Sequence, residues 1–149
     1  ISPERVEAIL KTPKGARPDP STYMSREAID AHLKLFESGA VRIQPSMPTG
    51  TIGRTETWVM PKSLVDDAVS RSNGDPRKLE ALLGLDAGYL GNSPVRVDIP
   101  NATNARIPSG NEFGANDFWR PGGYTHPGGI AEVIIDPVPA GRYATANVY

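Results

Sequence analysis

The chain has 149 residues, which suits a single domain spanning 1–149, and its 16 basic and 17 acidic residues leave a formal charge of −1. That balance excludes a generic nucleic-acid or membrane surface, which needs a basic excess, and leaves room only for a local basic patch. The absence of cysteine excludes disulfides and thiolate-held zinc.

No apolar run approaches the ~20 residues of a membrane-spanning helix. Fifteen glycines and fifteen prolines are high for a globular domain, yet below the ~25–30% that signals low complexity. The chain begins at Ile1 with no signal peptide and is expected to be a fragment of something longer.

In chain order, "SPERVEAILKT" reads as a helix capped by Ser2, with Pro3 in its first turn. "SREAIDAHLKLFESG" is the clearest helix. Ser25 caps it, Ile29, Leu33 and Phe36 form its apolar stripe, and Gly39 ends it. His32 lies on the flank of that stripe and reads as a partly buried surface residue. "AVRIQ" (40–44) alternates as a strand with Val41 and Ile43 on one face and Arg42 on the other, and "TWVMP" (57–61) is a second strand.

"KSLVDDAVSRS" is a helix closed by Asn73-Gly74, and Asp75 caps "PRKLEALLGL". These two helices read as a packing layer with solvated charges. "VRVDIP" (95–100), "IAEVIID" (130–136) and "RYATANV" (142–148) complete the strands. A helical N-terminal half packed on a small, mainly antiparallel sheet defines the α+β class.

The segment 101–129 contains one short apolar stretch, "ARIP". A loop of that length is uncommon in a compact domain unless it carries function. It gathers Ser109, Asn111, Glu112, Asn116, Asp117, Trp119, Arg120, Tyr124, Thr125 and His126, with "RPGGYTHPGG" leading straight to Glu132. Glycine admits close backbone approach, aromatic rings stack on bases, arginine forks onto phosphate, and a carboxylate stabilises a developing cation. The competing reading is that Asn, Asp and Gly simply build turns here, and that Glu132 is an edge-strand charge. His32 and His126 are too few and too far apart in sequence to suggest a metal site.

The run Glu132-Val133-Ile134-Ile135, followed by Pro137, Gly141 and Tyr143, resembles the final strand-turn-strand of the ADP-ribosyltransferase superfamily. The resemblance implies a split sheet with Glu132 as catalytic glutamate and NAD as substrate. It also implies an arginine on the first core strand that binds the NAD phosphates. Arg42 fills that place, with Arg54 as the second choice. Where the family has a Ser-Thr-Ser strand, this chain has "RIPSG", so Ser109 stands in. Ile130 occupies the position at which arginine-modifying members carry Glu or Gln. NAD hydrolysis, or transfer to another acceptor, fits better than transfer to protein arginine.

Over more of its length ("STYMSREAIDAHLKLFESGAVRI", "WVMPKSLVDDAV", "GDPRKLEALLGL", "VRVDIPN", "EVIIDPVP") the chain resembles C-terminal toxin domains of bacterial polymorphic toxins. That resemblance implies an upstream secreted parent protein, delivery into the cytoplasm of a target cell, and a cognate immunity protein. It leaves the reaction open. One alternative is a metal-independent RNase with Glu112 or His126 as base, Arg120 on the phosphate, and Trp119 or Tyr124 stacking a base. The other is a non-enzymatic interaction module.

Overall fold

The computed structural model describes residues 1–126 and 129–149. Pro127 and Gly128 of the glycine-rich stretch lie outside them. The elements are α1 (Pro3–Lys11), α2 (Arg26–Lys34), β1 (Ala40–Gln44), β2 (Thr57–Pro61), α3 (Lys62–Ser72), α4 (Pro76–Leu83), β3 (Val95–Ile99), β4 (Trp119–Arg120), β5 (Tyr124–Thr125), β6 (Val133–Ile135) and β7 (Ala144–Asn147). The class is α+β, as the sequence implies.

Local chemistry sets the helix ends. The side chains of Ser2, Ser25 and Asp75 each accept from an amide in the following turn, filling one of the donors that a helix start leaves open. Asn73 (φ 50°) and Gly84 (φ 73°) stop α3 and α4 in the left-handed region. α2 is shorter than its sequence pattern suggests. It closes at Lys34, and Phe36 reaches the core from the turn that follows. The expected stripe also shifts: Ile29 and Leu33 are half-buried, and the fully buried residue of α2 is His32.

Five strands form one sheet in the order β6-β2-β1-β3-β7, with every neighbouring pair antiparallel. Alternation along β1 sends Val41 and Ile43 into a core shared with α3 and α4, and Ala40 into a second core with Phe36, Val59, Val97 and Val133. β1 pairs with β3 from Ala40↔Ile99 through Gln44↔Val95. β2 pairs with β6 from Thr57↔Ile135 through Val59↔Val133. Yet β1 and β2 pair only at Ala40↔Pro61 and Val41↔Met60. Beyond that point the sheet divides into two halves.

The long loop is less irregular than its composition suggests. It holds a small hairpin, β4–β5, turned through Gly122 and Gly123 at φ 108° and 82°. The expected strand 130–136 is really two segments. Residues 130–132 run along β5, with Thr125 N donating to Ile130 O (2.9 Å) and Glu132 N donating to Gly123 O (2.8 Å). The chain then leaves β5, and β6 joins β2. Glu132 is the last residue before that change of partner.

Candidate functional site

A cleft of about 930 Å³ opens where the sheet divides. Consecutive residues of both strands line it, Arg42, Ile43 and Gln44 from β1 and Thr57, Trp58, Val59 and Met60 from β2. It therefore runs between the strand edges rather than over one face. The far wall is the end of α4 with Asn116, Trp119, Thr125 and Glu132, and the mouth carries Arg54, Tyr89 and Phe113. Close packing fixes the far wall. A Cβ on Gly84 would lie 2.7 Å from the Thr125 Cβ, so α4 abuts β5 directly.

Glu132 is only 8% exposed. Its backbone is held on both sides, by its own N–H to Gly123 and by His32 Nε2 donating to its carbonyl at 3.0 Å. The His32 ring is buried, which lowers its pKa and keeps it neutral. Tyr124 meets that ring edge-on at 4.9 Å, and Gly123 leaves room for it, since a Cβ there would come within 2.7 Å. The Glu132 carboxyl, by contrast, accepts no hydrogen bond among the described residues. Burial first, and the charge of Glu112 second, push its pKa up to about 8. Glu132 is thus not the solvent-facing edge charge of the competing reading.

Arg42 is half-buried and touches only neutral groups, donating to Gln44 Oε1 at 3.0 Å and Thr57 Oγ1 at 3.4 Å. Elsewhere Arg96 is held by Asp66 and Asp98, Arg106 by Asp136, and Arg77 by Glu80. Neither Arg42 nor the exposed Arg54 has a carboxylate partner among the described residues.

Trp119 is buried under Arg17, whose guanidinium lies 4.8 Å from the ring centroid, and its indole N–H has no partner among the described residues. Arg17 also donates to Gly110 O, while Asn111 bonds the backbone of Gly15 and Arg17. The segment after α1 thus clasps the site loop.

Arg42, Arg54, Asn116, Trp119, Thr125 and Glu132, all marked in the sequence, line one cleft. Five others do not. Glu112 is spent on a turn, accepting from Ser109 N, Ser109 Oγ and Gly110 N at 2.6–3.0 Å, which also occupies Ser109. Arg120 donates to the Asp117 and Trp119 carbonyls. Tyr124 packs on His32, and His126 is exposed on a turn. The base-and-arginine set expected for an RNase is therefore not assembled in the cleft.

Trp58, Tyr89, Phe113, Gln44 and Thr57 line it without having been marked in the sequence. Phe113 carried a usable signal, as the lone aromatic residue in "NEFGAND" with no large apolar partner at a strand or helix period. Among the described residues no group of three or more His, Asp or Glu is placed to hold a metal ion, and no helix is long and apolar enough to cross a membrane. No family model, curated protein or solved structure matches the chain.

Proposed function

We propose that the cleft cleaves NAD at the bond between nicotinamide and ribose, consuming NAD as substrate. One observation carries this reading. Among the described residues, a half-buried arginine without a counter-ion and a buried glutamate without a hydrogen bond line the same cleft and do not pair with each other. Both are costly to leave uncompensated in a folded protein, and a ligand with an anionic middle and a cationic end compensates both.

Arg42 forks onto the pyrophosphate, with Arg54 at the mouth adding charge. The cationic nicotinamide ring drives the Glu132 proton off. The resulting carboxylate accepts a hydrogen bond from a ribose hydroxyl and stabilises the oxocarbenium ion formed as the C–N bond breaks. Nicotinamide leaves with the bonding pair, water adds to the ribose carbon, and its proton passes to Glu132 and then to solvent. Trp119 and Thr125 wall the ring end.

The polymorphic-toxin resemblance extends this reading. The chain is the delivered part of a longer secreted protein. It acts in the cytoplasm of a target cell and is held off in the producer by an immunity protein.

Incubating the purified chain with NAD and following free nicotinamide tests the proposal. Release is expected. Its absence, even with cell lysate added to supply acceptors, overturns the proposal, and loss of intact RNA in the same lysate would point to the RNase alternative.

A further inference from the structure

Phe113 is 90% exposed and Tyr89 42% exposed, and both line the mouth of the cleft. A single exposed apolar ring needs no explanation, but these two sit on anchored backbone. Phe113 O accepts from Trp58 Nε1 at 2.9 Å, and the neighbouring Glu112 pins the turn through Ser109 and Gly110. Gly114 lies so close to the Trp58 ring that an added Cβ would stand 3.1 Å from its nitrogen. Tyr89 is flanked by Gly88 and Leu90, whose amides both donate to the buried Glu80 carboxylate at 2.9 and 2.8 Å. Each ring is therefore offered to solvent by a fixed segment.

Two such rings at the mouth of a cleft that also holds two arginines without acid partners among the described residues make a surface for a flat base carried on phosphate. The volume, about 930 Å³, lies near the top of the ~300–1,000 Å³ range of small-molecule sites, more than one nucleotide needs.

We propose that Tyr89 and Phe113 seat the purine ring at the far end of the substrate, so that the cleft selects a dinucleotide over nicotinamide mononucleotide. This rests on the NAD reading of the same cleft. Bases stack on either ring face, with Arg54 and Arg42 between the base and the reacting ribose.

The test compares kcat/KM for NAD with kcat/KM for nicotinamide mononucleotide in the native chain and in Phe113→Ala and Tyr89→Ala. The ratio should fall about tenfold in each variant, the loss of one stacking surface. An unchanged ratio overturns the proposal while leaving NAD cleavage standing. If the native chain releases nicotinamide from neither compound, the NAD reading fails, and calorimetric titration with AMP judges the ring seat alone. AMP binding weakened about tenfold in Phe113→Ala supports it, whereas equal binding, or none, overturns it.

Discussion

Among the described residues two glutamates are buried, and their polar surroundings differ. Glu80, on α4, is 1% exposed, and its carboxylate takes the amides of Gly88 and Leu90 and the Arg77 guanidinium, all within 2.9 Å. Glu132 is buried almost as deeply, takes no hydrogen bond among the described residues, and has another carboxylate as its nearest charged influence. Glu80 is a structural bolt for the turn after α4. Glu132 is a group that folding alone disfavours, set at the point where the chain leaves β5 for β2. Natural sequences keep such residues where chemistry requires them. The difference between the two sites, more than burial itself, is what the proposed function rests on in assigning Glu80 to the scaffold and Glu132 to the chemistry.

The sharpest way to break that contrast is to remove each carboxylate and measure unfolding in urea. Glu80→Ala leaves two amides without acceptors and should cost about 3 kcal/mol. Glu132→Gln should do the opposite and stabilise the chain at pH 7 by something on the order of 3 kcal/mol, since the neutral amide removes the penalty of a carboxyl held up at about 8. Equal losses in both variants would erase the distinction.

The same contrast appears against pH. With its folded pKa raised, Glu132 binds more proton in the native state than in the unfolded chain. Its contribution to stability is fully present below the ordinary carboxyl pKa and is lost as pH rises towards about 8. Urea midpoints of the native chain should therefore drop across that window relative to those of Glu132→Gln, and parallel curves would contradict the shift.

Arg42→Ala should raise the KM for NAD about ten- to a hundredfold with a smaller change in kcat, as expected for loss of a charge-assisted phosphate contact. Glu112→Gln should have the smallest effect. By removing the neighbouring charge that helps to raise the Glu132 pKa, it should move the pH profile of kcat/KM to lower pH. A profile that stays in place would show that the two carboxyls do not interact.

Much of the scaffold was legible in the sequence because it follows local rules. β1 and β2 occupy the residues expected of them, 40–44 and 57–61, and Ser2, Ser25 and Asp75 cap where their chemistry says they should. The site was legible in part. Arg42 and Glu132 stood out as a polar side chain on a strand and a charge before an apolar run, and they do share a cleft. The burial of His32 depends on Gly123 and Tyr124, about ninety residues away, which no helical period encodes. Nor could the sequence show that "IAEVIID" changes partner at Glu132, because both halves read as one apolar strand. The placement of the Glu112 carboxylate in its own turn, outside the cleft, is hidden for a related reason. A carboxylate two or three residues from amides it can cap is consumed by its own turn.

The most direct single measurement is nicotinamide release from NAD by the native chain and by Glu132→Gln, side by side at pH 7. Release by the native chain, reduced about a thousandfold in a variant that folds at least as stably, is the expected result. Release undiminished in Glu132→Gln, or absent from both, would contradict the assignment of Glu132 as the group that stabilises the departing charge.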